Sequence, residues 1–302
     1  MHPRCAGRDG GRDDRVQRVG PVTTEAWPRS ARLDAPRVVD RIADITGVRL
    51  IIEGPCPGGE VGAAYVRWPD GRRSVLTEGR TRTGPLVDRA RAAGVPTARR
   101  ELAAHVDGVR VIVQQRLPGC PPSTLDAALI AQMLAVNDRL AGLLAGDPDP
   151  RPVPLYLTGD GPGFCLHEPL AGYDRRTARL LDWVHEVGAG GSAMIGDDLV
   201  HLDFHPGNVL VADGRLTGVV DWDGATRGDR HFDLNTLGFH LAGHQPGLLG
   251  PVEDRLAEIS AHRRRAYWAH MSLRQVDWSI RHHDAGTVEH WLTVAESGMI
   301  AG

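Results

Sequence analysis

The sequence predicts an α+β fold, in which a small N-terminal lobe with a five-stranded antiparallel sheet joins a larger, mainly helical C-terminal lobe. Three observations predict it. Short β-branched runs alternate with turn signals before residue 117, the composition breaks at Pro118-Gly119-Cys120-Pro121-Pro122, and apolar residues recur at helical spacing beyond that break. The division expected from this is a flexible arm over 1–34, an N-terminal lobe over 35–117 and a C-terminal lobe over 118–302.

The first periodic segment starts at Ala35, where Val38, Val39, Ile42 and Ile45 recur at helical spacing before Gly47. Val48–Gly54 and Ala63–Trp68 read as strands flanking PCPGGEVG, and Pro69-Asp70-Gly71 turns the chain into the strand RSVLTE. A short helix, LVDRARAA, ends at Gly94, and the strands ARRELAAHV and VRVIVQQRL meet at Asp107-Gly108. Past the break, Ser123 or Thr124 can cap a helix whose apolar face carries Leu125, Leu129, Met133, Leu134, Leu140 and Leu144. A second helical segment is predicted from Tyr173 to Val187. A hairpin, NVLV and RLTGVVD about Ala212-Asp213-Gly214, precedes mostly helical sequence to the end.

Composition limits the function. With 302 residues, 41% of them hydrophobic, the chain can bury a large core and is not of the disordered class. A net charge of -3 offers no field to hold nucleic acid or an anionic membrane, so a small molecule is the expected partner. The oligomeric state is not readable. Cys5, Cys56, Cys120 and Cys165 form no C-x-x-C pair, no run of eighteen apolar residues occurs, and MHPRCAGRDGGRDDR has charge where a signal peptide is apolar. A cytoplasmic protein with reduced thiols is expected. The chain contains no lysine, so arginine supplies every fixed positive charge.

The segment HLDFHPGN, His201–Asn208, carries the chemistry. It has the spacing H-x-D-x-x-x-x-N, in which the Asp accepts a substrate hydroxyl proton and the Asn binds metal. Asp221 ends the apolar strand of VVDWDG, and the hairpin between should bring Asn208 and Asp221 to the same end, where they can share one cation. Two oxygen ligands completed by phosphates and water suit Mg²⁺. Asp203 is left free of metal to orient the nucleophile. The bland alternatives are a structural His–Asp hydrogen bond, an ordinary Pro-Gly turn and a helix-capping Asp; the functional reading is stronger because loop, hairpin and second carboxylate occur together in that order and at that separation.

HLDFHPGNVLV followed by GVVDWDGATRGDRHFDLN resembles the catalytic and metal-binding block of the aminoglycoside phosphotransferase and choline kinase-like small-molecule kinases, which have a protein kinase-like fold. The resemblance extends more weakly from about Val48 to the end. It implies ATP and Mg²⁺ as cofactors, with ATP between the lobes, and transfer of the γ-phosphate to a small-molecule hydroxyl. Asp203 would be the base, His205 would lie near the transferring phosphate, Asn208 and Asp221 would bind Mg²⁺, and Asp223 would be a further metal contact. Asp233 resembles a family Asp that braces the loop backbone. Gly58, Gly59 and Gly62 would bring backbone amides to the phosphates, and the Gln115 carbonyl and Leu117 amide would pair with adenine.

One part of the pattern is missing. The strand-three lysine that should hold the α and β phosphates is replaced by Thr77, and the next helix offers Asp88 rather than Glu. Arg72, Arg73 or Arg80 would have to substitute, and Arg80 is preferred. The gap keeps open a pseudokinase that binds a ligand without turnover. A further alternative takes His201, Asp203 and His205 as ligands of a hydrolytic metal. Nine Asp or Glu against eight Arg from Ala225 onwards do not mark a polycation site, so an antibiotic (the resistance function), an amino alcohol and a sugar-like metabolite all stay open as acceptors; Trp268, Trp278 and Trp291 read as helix core.

Overall fold

A computed structural model describes residues 33–56, 62–79, 83–147 and 152–300. The expected N-terminal arm therefore lies, as far as residue 32, outside the described residues, as do Gly58, Gly59 and Arg80. The chain forms two compact units. The first contains 33–79 and 98–116, and the second contains 83–97 and 117–300.

The first unit holds helix α1 (Ala35–Thr46) and strands β1 (Ile51–Pro55), β2 (Ala64–Arg67) and β3 (Arg73–Glu78). Helix α2 (Gly84–Ala92) follows in the second unit, and the chain returns to the first for β4 (Arg100–Val106) and β5 (Val109–Gln115). The sheet is antiparallel throughout with the order β1-β2-β3-β5-β4. Asp34 caps α1 by accepting from Arg37 N at 3.2 Å, and Gly47 closes it in the left-handed region at φ 72°. Val38, Val39 and Ile42 enter a core with Val66, Leu76, Val111 and Val113, whereas Ile45 faces out. Asp107 and Gly108 both have positive φ, the signature of a type I′ turn, so strands with right-handed twist can join directly.

In the second unit come α3 (Ala127–Asp138), the short strand β6 (Val153–Pro154), α4 (His167–Tyr173), α5 (Arg175–Ala189), and the strands β7 (Ala193–Met194) and β8 (Asp198–Val200). They are followed by β9 (Val209–Ala212), β10 (Arg215–Val219), β11 (Thr226–Gly228), α6 (His231–His244), α7 (Gly250–Leu256), α8 (Ala261–His282) and α9 (Ala285–Ile300). β9 and β10 form an antiparallel hairpin, its Asp213-Gly214 turn again of type I′. Gln132 of α3 braces the ribbon, donating to Gly214 O at 3.1 Å and accepting from Leu216 N at 2.8 Å. β8 pairs with β11 just before the catalytic-loop segment.

The structure departs from the sequence reading in several places. α2 packs with the helical unit: Ala90 and Val95 lie in one core with Met133, Leu140 and Leu237, and Arg89 pairs with Asp147 at 2.9 Å. The helix expected from Tyr173 to Val187 is broken at Asp174, whose carboxylate and backbone exchange hydrogen bonds with Thr177 in a capping box that starts α5. α3 ends at Asp138, yet Leu140 and Leu144 stay buried in the same core from the turns that follow. Cys56 and Cys165 are free thiols, as expected, but Cys120 is disulfide-bonded. Among the described residues no helix is long and apolar enough to cross a membrane.

Leu237 is fully buried between α6 and the neighbouring helices. Leu237→Ala should cost about 2–5 kcal/mol of unfolding free energy in urea titration; a loss well under about 1 kcal/mol would mean this core does not hold the unit together.

Candidate active site

Everything in this site belongs to the second unit. β8 delivers the chain to His201, which is buried. The carboxylate of Asp233, in the first turn of α6 and fully buried, accepts from His201 N at 2.7 Å and from Leu202 N at 2.9 Å. Burial pushes this carboxyl up to about 7 against the pull of the two amides. Leu202 stands in the left-handed region at φ 70°, a strained conformation for a residue with a side chain, and Asp233 holds it there.

The side chain of His201 is fully used. Its Nε2 donates to Val220 O at 2.9 Å and its Nδ1 accepts from Asp203 N at 3.3 Å, while Trp222 lies 4.6 Å from its ring centre. Burial holds the imidazole neutral, down to about 4, although the nearby Asp203 pulls the other way. This one ring ties the loop to the end of β10. Phe204 anchors the next residue by filling the core beneath.

Asp203 is ringed by donors. Arg274, on α8, donates Nη2 to Asp203 Oδ1 at 2.9 Å and Nη1 to Leu202 O at 2.8 Å. Asn208 donates Nδ2 to Asp203 O at 2.8 Å and to Oδ2 at 3.1 Å, and His205 Nε2 lies 3.6 Å from Oδ2. Burial works against ionisation, but Arg274 first, and then His205 and His201, outweigh it and hold the carboxyl well below the usual range. Asp203 is thus a carboxylate fixed in direction.

His205 Nδ1 accepts from Gly207 N at 3.1 Å, closing the short turn Pro206–Asn208. A Cβ on Gly207 would come within 2.7 Å of that ring, so the close approach requires glycine. Asn208 O accepts from Val220 N at 2.9 Å, and the pairing of Val209 with Val219 continues directly into it. The hairpin therefore sets Asp221 beside Asn208. Asp221 is itself left-handed at φ 61°. Burial raises its pKa, and the neighbouring carboxylates of Asp203 and Asp223 raise it further. The amide nitrogen of Asn208 faces Asp203.

The remaining predicted residues fall elsewhere. Gly62 is at φ 80°, before β2, and Gln115 ends β5 with its N–H given to Arg99 O at 2.8 Å. Leu117 opens the second stretch of the helical unit, its side chain against Gly218. Thr77 sits in β3, and Asp88 of α2 pairs with Arg91 at 2.7 Å. Arg72 is engaged by Asp70 and Glu101, and Arg73 by Glu53. Two residues that sequence reasoning missed are Arg274 and His240, whose ring stacks on His205 at 4.3 Å. Burial depresses His240 to about 3. Neither lies in a motif, and helical periodicity says nothing about which arginine turns inward.

Comparisons with known proteins show the family and the fold. A family model described as a phosphotransferase enzyme family matches residues 86–269. Among solved structures, a thermostable mutant of the aminoglycoside phosphotransferase APH(4)-Ia, in ternary complex with AMP-PNP and hygromycin B, superimposes with a TM-score of 0.67 at 17% identity, covering 88% of this chain and 98% of that one. A putative fructosamine-3-kinase from Thermobifida fusca YX-ER1 gives 0.54 at 17% identity over 87% and 98%. The choline kinase LicA from Streptococcus pneumoniae gives 0.53 at 13% over 89% and 99%. These likenesses show the α+β, protein kinase-like fold. Comparison with curated proteins gave no match.

Two buried histidines make stability depend on acid. His201 and His270 are held near 4 by burial, against an ordinary 6.5, so between those values the unfolded chain binds protons that the folded one refuses. Taken by themselves these histidines leave stability intact above pH 6.5 and lower it as pH drops towards 4, each contributing a slope on the order of 1 kcal/mol per pH unit, and the raised carboxyl of Asp233 works in the opposite sense over that range. His270→Asn, which can still donate to Leu155 O, should flatten the decline in urea midpoint between pH 7 and 5; an unchanged slope would contradict the assignment.

Proposed function

Because the chain belongs to the phosphotransferase enzyme family and is a small-molecule kinase acting on a hydroxyl, we propose that it uses ATP with Mg²⁺ and that Asp203 orients and deprotonates the acceptor. The observation that carries the reading is the convergence of Asp203, Asn208 and Asp221 at one end of the β9–β10 ribbon.

The residues fit a magnesium ion. Asp221 is a buried carboxylate raised by burial and by two other carboxylates, and a cation would relieve that, with the Asn208 oxygen as second ligand and Asp223 as a further contact. When bound, the metal would neutralise charge on the phosphate oxygens. Among the described residues no three of His, Cys, Asp and Glu gather into a metal site, and an ion held by two protein oxygens needs none.

Asp203, kept ionised, is a weak base, and this suits a loose transition state in which the attacking oxygen must be aimed more than activated. As the acceptor oxygen bonds to phosphorus, its proton passes to Asp203 and ADP departs with the bridging oxygen. His205 stands beside the carboxylate, near where the phosphoryl group would pass. For the nucleotide we retain Gly58, Gly59, Gly62 and Arg80, with the Gln115 carbonyl and Leu117 amide on adenine. A cytoplasmic setting supplies the ATP.

The pseudokinase alternative must explain why a non-catalytic scaffold would keep Asp203 ionised and aimed. The hydrolase alternative meets a direct obstacle, since both ring nitrogens of His201 are occupied. The acceptor stays a hydroxyl compound of the antibiotic, amino alcohol or sugar-like kind.

Asp203→Asn should reduce ADP release by about 10²-fold or more while leaving nucleotide affinity within about threefold in calorimetry. Asp221→Ala should weaken nucleotide binding only when Mg²⁺ is present. Wild-type turnover in both variants would end these assignments, and a wild type that binds MgATP without turning over any hydroxyl compound would favour the pseudokinase.

A further inference from the structure

The carboxylate of Asp203 shares its position with a guanidinium, and the consequence concerns the acceptor. Arg274 commits one N–H to Leu202 O and one to Asp203 Oδ1, and its plane lies over Phe164 at 5.7 Å. A guanidinium has five N–H groups, so three stay available. The side chains of Arg274 and Asp203 are 26% and 32% exposed, enough for a ligand to reach both. The cation therefore sits where a group one or two bonds from the reacting hydroxyl would lie.

Of the helices that follow the catalytic loop, α7 carries Glu253 and Asp254, while α6, α8 and α9 offer no uncommitted carboxylate to attract a positive ligand. α6, α8 and α9 carry four carboxylates, and each is already satisfied. Asp233 holds the loop amides. Asp277 is buried against Arg281 at 2.6 Å and accepts from Leu166 N at 3.1 Å. Glu289 and Glu296 both bind Arg176, at 2.6 and 2.7 Å. The ring stacked on His205 is His240, whose imidazole is neutral.

Resting on the proposed phosphotransfer at Asp203, we propose that Arg274 selects the acceptor, and that the acceptor is a hydroxy acid whose carboxylate Arg274 receives while the neighbouring hydroxyl meets Asp203. Guanidinium matches a carboxylate in a two-point geometry. A phosphate dianion fits less well, because the single positive charge is already paired with Asp203. An ammonium next to the reacting hydroxyl would face Arg274 directly, and this argues against a polycationic antibiotic and a choline-like alcohol alike.

Two matched sets test the assignment: glycerate, glycerol and 3-amino-1,2-propanediol, and glucuronate, glucose and glucosamine. ADP release with MgATP is measured for each, together with binding to the protein loaded with Mg²⁺ and AMP-PNP by saturation-transfer NMR. The carboxylate member should exceed the amine by at least about tenfold in kcat/KM or in affinity. Because Arg274 also holds Asp203, Arg274→Gln should lower kcat on every member, and beyond that it should bring the members' kcat/KM values within about threefold of one another through the KM of the carboxylate, whereas Arg274→Lys should keep the order. A wild type without carboxylate preference in either readout overturns the proposal. So does an Arg274→Gln enzyme that loses turnover by the same factor on all members and keeps the carboxylate preference, since Arg274 would then only hold Asp203. Nucleotide calorimetry separates the two levels: no binding of MgATP sinks the phosphotransferase mechanism, while binding of MgATP without carboxylate selection sinks only the role of Arg274.

Discussion

One buried carboxylate sets the geometry of the site. Asp233 receives two successive amides, those of His201 and Leu202, and so holds the backbone in a left-handed bend that a leucine would not adopt unaided. Such a conformation costs on the order of 1–3 kcal/mol and survives only where the surroundings over-determine it. Arg274 completes the restraint by binding the carbonyl of the same residue. Leu202 is thus gripped at both its N–H and its C=O, and Asp203 emerges with its carboxylate in a fixed direction. Two side chains from distant helices, acting on neighbouring backbone atoms, replace the rigidity that regular secondary structure supplies elsewhere.

The second carboxylate is placed by a different device. The β9–β10 ribbon has a two-residue turn, which fixes its register and hence which residues stand at its open end. His201 reaches across to Val220 O, and Asn208 O takes Val220 N, so the residue before Asp221 is held by both hydrogen-bonding groups. Asp221 then turns left-handed, and Trp222 drops into the core with its N–H on Val219 O. The two carboxylates therefore share a single scaffold, linked through one neutral histidine. A charged imidazole at that position would need solvent it cannot reach.

Much of this was legible in the sequence because it is local. The loop HLDFHPGN, the ribbon after it and its Asp213-Gly214 turn are contiguous, and their chemistry follows from spacing. The strands were readable for a similar reason, β2–β3 being joined at Pro-Asp-Gly and β4–β5 at Asp-Gly. What escaped was long-range. Arg274 is 71 residues from its partner Asp203, on a helix with arginines on several faces. The allegiance of α2 to the helical unit depends on Ala90 and Val95 finding a core assembled from residues far along the chain. The break at Asp174 was missed because an unbroken apolar period conceals a cap. β8 and β11, three residues each, are too short to carry a period.

The absence of lysine and the presence of Arg274 bear on one electrostatic question. Asp203, Asp221 and Asp223 concentrate negative charge at the end of the ribbon, and a nucleotide would add more. Part of that load falls to a bound cation, as in any site that handles phosphates. The protein's own contribution is uneven, because His201 and His240 are kept neutral by burial and Arg274 alone among these neighbours bears a permanent charge. A guanidinium cannot be neutralised at accessible pH, so whatever approaches Asp203 meets that charge under every condition. Its placement on α8 makes it part of the same restraint as Asp233, since it binds the Leu202 carbonyl and the Asp203 carboxylate together, while the Asn208–Asp221 side of the ribbon is held without it. The loop and ribbon come from contiguous sequence, and the two side chains that aim Asp203 come from helices far along the chain.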